Sequence, residues 1–116
     1  TTYGGNPVCC AAALAEIGEL LDRDLARNAA EMGDYFCDKL KTLPHVKEVR
    51  YQGLLIGVEF DQSIKGVDVK HGCLERKLLI TAIGEHIIRM VPPLIVTKED
   101  CDKALGIIEE TVKALA

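Results

Sequence analysis

The chain has 116 residues, 48% of them hydrophobic and 28% charged, with a formal net charge of -4. That suits one small soluble domain with one core. The acidic balance argues against nucleic acid or an anionic membrane surface as a partner. No apolar run reaches the roughly 20 residues that span a bilayer, and nothing reads as a signal peptide.

The chain opens on Thr1-Thr2-Tyr3-Gly4-Gly5-Asn6-Pro7. Asn6 suits a helix N-cap and Pro7 the first helical position. The glycines permit a tight turn, and anions are favoured where such a helix begins. The run is expected to be a phosphate-proximal loop whose upstream half lies outside this chain. Apolar residues then recur at helical spacing: Leu14, Ile17, Leu21, Leu25, Ala29, Met32, Phe36 and Leu40. The break at Asp22-Arg23-Asp24 divides them into two helices, 7–21 and 23–43, ended by Leu43-Pro44. The first helix is expected to pack partly on structure outside this chain.

Residues 45–51 and 54–60 read as strands joined at Gln52-Gly53 into an antiparallel hairpin. Gly57 inside the second strand predicts a bulge or a close backbone approach. A loop over 61–66 and a short helix over 67–77 follow. Two more strands, 78–82 and 86–91, flank the turn at Gly84-Glu85, and Pro92-Pro93 stops the second. Thr97 with Asp100 forms a variant capping box for a last helix bearing Leu105, Ile108, Val112 and Leu115 on one face. The order α-α-β-β-α-β-β-α predicts an α+β two-layer domain, a small mostly antiparallel sheet with helices on one face.

The five cysteines, Cys9, Cys10, Cys37, Cys73 and Cys101, make no C-x-x-C pair and no cysteine–histidine metal pattern. They read as reduced thiols of a cytoplasmic protein, several of them in its core. His45, His71 and His86 are isolated and suit surface or strand-edge roles. Glu109-Glu110 suits a solvated helix face. No Ser-His-Asp order or carboxylate pair can be argued.

Two residues stand out. Arg89 sits in an otherwise apolar strand, where a guanidinium needs an acidic partner or a route to water. Its planar fork suits a carboxylate. Spacing alone favours the plainer alternative, an outward-facing arginine with Ile88 and Met90 turned inward. Thr2, beside a double glycine and a helix start, can donate to a phosphate oxygen; a turn-stabilising role describes it at least as well. Gly4-Gly5 is too short to be a nucleotide-binding signature.

Three segments together resemble one family, the class III (ornithine-type) pyridoxal-phosphate aminotransferases. Thr1–Pro7 resembles their S/T-T-F/Y-G-G-N-P run. Val49-Arg50-Tyr51-Gln52-Gly53-Leu54-Leu55-Ile56-Gly57-Val58-Glu59 resembles their V-R-G-x-G-L-L-x-G-V-E hairpin, with Tyr51 where a glycine is usual. Residues 87–96 resemble their I-R-x-x-P-P-L-I-V strand. The resemblance implies a fold-type-I enzyme, a homodimer in the cytoplasm with pyridoxal 5'-phosphate as cofactor and amino acids and 2-oxo acids as substrates. It implies a division into residues 1–43, the cofactor-phosphate loop and interdomain helices, and residues 44–116, the small C-terminal domain. Thr2 would reach the phosphate of the cofactor bound by the partner subunit, and Arg89 would clamp the substrate α-carboxylate.

The family's Schiff-base lysine and the aspartate on the pyridine nitrogen lie upstream of the threonine loop. No lysine here occupies a matching motif, so no catalytic residue is assigned and the fragment alone is expected to be inactive. The expected reaction of the whole enzyme moves an amino group from N-acetylornithine to 2-oxoglutarate in arginine biosynthesis. Ornithine or 4-aminobutyrate is the alternative donor, and a non-catalytic α+β binding module is the alternative of another class.

Overall fold

The structure is a computed structural model that describes residues 1–116. Asn6 begins it as predicted: its side-chain oxygen accepts from the backbone N–H groups of Val8 (2.9 Å) and Cys9 (3.3 Å), and Pro7 follows as the first helical residue. Helix α1 spans Pro7–Asp22 and buries none of its residues. Asp24 then takes a left-handed conformation (φ 48°), which turns the chain into α2, Leu25–Leu40. Asp24 makes no side-chain cap, so the bend expected at the aspartates is a backbone feature.

Helix α2 has an apolar stripe at the spacing of successive turns, Met32, Phe36, Cys37 and Leu40, and all four are buried. It ends at Leu40, three residues short of the predicted limit. Leu43 N–H bonds back to the Leu40 carbonyl and the Thr42 hydroxyl to that of Lys39, closing the helix in turns before Pro44.

Strands β1 (Val46–Gln52) and β2 (Leu55–Phe60) form the expected antiparallel hairpin. Its two-residue turn has Gly53 at φ 53°. Gly33 of α2 meets this turn: a Cβ on Gly33 would run into the Gly53 carbonyl, so helix and hairpin cross at backbone contact. Tyr51 turns toward the same helix and donates to Asp34 (3.0 Å). The residue that departs from the family's hairpin pattern thus ties β1 to α2.

Helix α3 spans Gly66–Glu75, not the predicted 67–77. Lys77 takes φ 68°, and the N–H groups of Lys77 and Leu78 bond back to Leu74 (3.0 Å) and Cys73 (2.8 Å). This is a left-handed helix stop with a lysine where glycine is usual. Strand β3 is short, Thr81–Ile83, with Leu78–Ile80 outside it. It pairs with β4 (Ile87–Met90) across Gly84, which sits at φ 64°. Helix α4, Lys98–Leu115, starts on Thr97, and both bonds of the capping box with Asp100 form. Asn28 of α2 donates to the carbonyls of Leu94 (2.7 Å) and Val96 (3.1 Å), fixing the segment between β4 and α4.

The sheet is antiparallel throughout, in the order β1-β2-β4-β3. One core joins Ile56, Val58, Phe60, Ile88 and Met90 of the sheet to residues of α2, α3 and α4. The fold is the predicted two-layer α+β domain with helices on one face. Its core runs across residue 43, because α2 supplies part of it. Cys37, Cys73 and Cys101 belong to the core, while Cys9 and Cys10 are exposed on α1. Burial pushes the Cys37 thiol up to about 12, which keeps it protonated and inert.

Candidate functional site

Alternation along β4 decides where Arg89 points. Ile88 and Met90 are buried against the helices, so Arg89 stands on the other face of the sheet. That is the plainer of its two sequence readings, and it is compatible with the sharper one, because the face is built as a groove. Arg89 lies opposite Gly57 of β2, and Gly57 lies opposite Arg50 of β1. The three form one row across the sheet with a bare backbone floor in the middle.

Gly57 serves neither function predicted for it. The register irregularity of the hairpin lies at Val46/Glu48, and a Cβ on Gly57 would meet only the Arg50 carbonyl, at an ordinary 3.8 Å. What glycine supplies here is an absent side chain between two arginines. The groove measures about 540 Å³, and Leu55, Ile83 and Ile87 give it apolar walls beside Arg50, Gly57 and Arg89.

The other charged groups of this face are occupied. Glu59 accepts from Lys47 (2.6 Å) and Arg50 (3.0 Å), and Arg50 also bonds Glu48. These cations hold the Glu59 carboxyl below its usual range. Arg89 takes part in none of these pairs. An unpaired guanidinium flanked by apolar side chains is a receptor for an incoming carboxylate.

Thr2 lies in the exposed turn before α1, where Gly5 sits at φ 77° and the Asn6 N–H bonds the Tyr3 carbonyl (3.3 Å). Its hydroxyl has no part in the side-chain bonds that start the helix. It does not line the Arg89 groove, so the two predicted residues do not share a pocket within this chain.

Sequence reasoning missed one polar cluster. The hairpin places His45, just before β1, beside Asp61, just after β2. His45 Nδ1 lies 2.9 Å from Asp61 Oδ2 and 3.0 Å from Ser63 Oγ, and the Ser63 hydroxyl also donates to Asp61. Ser63 and its backbone N–H, then His45, hold the Asp61 carboxyl down at about 2. Serine and aspartate meet the same ring nitrogen, so this is a loop clasp and not a proton relay, which needs one partner on each nitrogen. His86 is likewise structural, with Nδ1 2.8 Å from the Ile64 carbonyl.

A family model described as Aminotransferase class-III matches residues 1–112. The chain belongs to the class III aminotransferase family. The acetylornithine aminotransferase of Clostridium acetobutylicum is 45% identical over 97% of this chain, which spans 30% of that protein. An ornithine aminotransferase 2 of Staphylococcus aureus is 43% identical over 90% of the chain, or 26% of its own length. The ornithine aminotransferase of Toxoplasma gondii, whose structure holds pyridoxal phosphate at partial occupancy in its active site, superposes on 99% of this chain with a TM-score of 0.86 at 34% identity; 28% of that protein is covered. The chain thus spans about three tenths of the length of the curated relatives it matches. No helix is long and apolar enough to cross a membrane.

Proposed function

We propose that this chain supplies the substrate-carboxylate clamp and the cofactor-phosphate contact of a class III aminotransferase, which is completed by residues outside it. The observation that carries this reading is Arg89, free of any acidic partner above the bare floor at Gly57 on an apolar sheet face. Leu55, Ile83 and Ile87 would keep water from the guanidinium, and a charge-assisted pair strengthens as water is excluded.

The cofactor proposed is pyridoxal 5'-phosphate. The residues present fit its phosphate: a hydroxyl with no partner in the chain, in a glycine turn that leads into a helix N-terminus. Thr2 would donate to a phosphate oxygen of the cofactor held by the partner subunit of a homodimer. When bound, the cofactor supplies the electron sink for amino-group transfer. Arg89 would orient the acid end of each substrate so that its reacting carbon meets the cofactor in a fixed pose. The exposed apolar residues of α1, among them Leu14, Ile17 and Leu21, would be covered by the rest of the enzyme. In this reading residues 1–43 bring the phosphate loop and interdomain helices. Residues 44–116 are the small domain onto which α2 packs.

The proposed reaction moves an amino group from N-acetylornithine to 2-oxoglutarate, as in arginine biosynthesis, in the cytoplasm. The likeness to the clostridial acetylornithine aminotransferase supports this donor, and that to the staphylococcal ornithine aminotransferase favours ornithine as the second reading. A panel of amine donors on the full-length enzyme decides between them. In the same enzyme Arg89→Ala is expected to raise KM for α-carboxylate substrates about ten- to hundredfold, since hydrogen bonds to a charged group contribute roughly 1.5–3 kcal/mol. Unchanged kinetics removes Arg89 from the site. Thr2→Ala is expected to weaken cofactor retention, and an unaltered cofactor dissociation constant returns Thr2 to a turn role.

A further inference from the structure

Glu59 is well placed to close the groove. It pairs across the sheet with Ile87, two residues from Arg89 on β4, and all three face the same side. Diagonal neighbours on adjacent strands are roughly 7–8 Å apart, within reach of a glutamate and an arginine. Yet the two are unpaired. Glu59 leans to the other edge of the sheet, where Lys47 (2.6 Å) and Arg50 (3.0 Å) take its two oxygens. Its side chain is only 20% exposed, so little solvent competes for it.

We infer that Lys47 and Arg50 are positioning residues that hold Glu59 away from Arg89 and so keep that guanidinium open to a substrate carboxylate. The inference rests on the proposed role of Arg89. With both cations gone, the Arg89 guanidinium is the remaining cation of the groove within reach of Glu59. An internal carboxylate on Arg89 then competes with the acid end of the substrate. Glu48 does not replace Glu59 in this role: it lies on β1, two strands from β4, roughly 10 Å across the sheet.

The test is steady-state kinetics of the full-length enzyme with a 2-oxo dicarboxylate as acceptor. Lys47→Met/Arg50→Gln is expected to raise KM about fivefold with kcat unchanged, the occupancy that an exposed ion pair gives an internal competitor. Adding Glu59→Gln to that variant restores KM, because the competitor is gone, and Arg50→Lys alone keeps KM near the parent value. A chain that merely loosened would not recover when a further charge is removed. Arg89→Gln in parallel separates the two ideas. If it raises KM while Lys47→Met/Arg50→Gln does not, or if Glu59→Gln fails to rescue, the guarding role is overturned and the clamp stands. If Arg89→Gln leaves KM unchanged, the clamp fails and the guarding role with it. Thermal unfolding of each variant confirms that the fold persists, as expected for exposed side chains.

Discussion

The two faces of the sheet use the same strands for opposite purposes. Ile56, Val58 and Phe60 of β2 and Ile88 and Met90 of β4 face the helices, and none is more than 6% exposed. Leu55, Gly57 and Glu59 alternate with them on β2, as do Ile87 and Arg89 on β4, and these look outward. The covered face is held to close packing, in which every methylene touches several neighbours. The open face is constrained by what is absent from it: a side chain at Gly57 and an acid on Arg89. One strand can therefore carry stability on its even residues and ligand recognition on its odd ones, and substitutions should sort by parity.

Phe60→Ala is the strongest test of that sorting. Phe60 is fully buried between sheet and helices, and truncation should cost about 3–5 kcal/mol. Arg89→Gln, one strand away on the open face, should change stability by less than about 0.5 kcal/mol. Urea unfolding at neutral pH measures both. A large loss from Arg89→Gln breaks the comparison, for it would mean that the open face holds the fold together.

Gly33→Ala probes the covered face from the helix side. Alanine is normally the better helix former, so an unconstrained site would gain stability. Here the new methyl meets the Gly53 carbonyl, and backbone cannot step aside as a side chain can. The substitution should cost about 1–3 kcal/mol, the range of overpacking. A neutral or stabilising result would show that α2 is free to lift from the hairpin.

The element order and the layer architecture were legible because they rest on strong signals. The α2 stripe has helical period, the strands alternate, and Asn6 and Thr97 are good caps. Boundaries failed where a residue of no special turn preference took a left-handed conformation, as Lys77 does in ending α3. The outward aim of Arg89 was legible from parity. The row it forms with Gly57 and Arg50 was not, because it depends on register, and the irregularity at Val46/Glu48 leaves no sequence mark. The same register brings His45 to Asp61 and Ser63, sixteen and eighteen residues away. A fixed hairpin register would have revealed both.

That rim cluster gives the smallest expected effect and asks whether charge at the sheet's edge adds to what packing supplies. Asp61 is held down at about 2, against about 3.9 for a free aspartate, first by the Ser63 hydroxyl and backbone N–H and then by His45. A depressed carboxyl binds fewer protons folded than unfolded. Its contribution is therefore complete above about pH 4 and is lost as pH falls toward 2. Ser63→Ala removes the hydroxyl and leaves the backbone bond, so part of the depression should remain. Urea midpoints of parent and variant should differ slightly at pH 6 and converge by pH 2. Asp61 is about half exposed, and water screens much of the interaction, so the gap should be far below that of Phe60→Ala. A gap that widens as the solution is acidified would show that Ser63 acts through some group other than the Asp61 carboxylate.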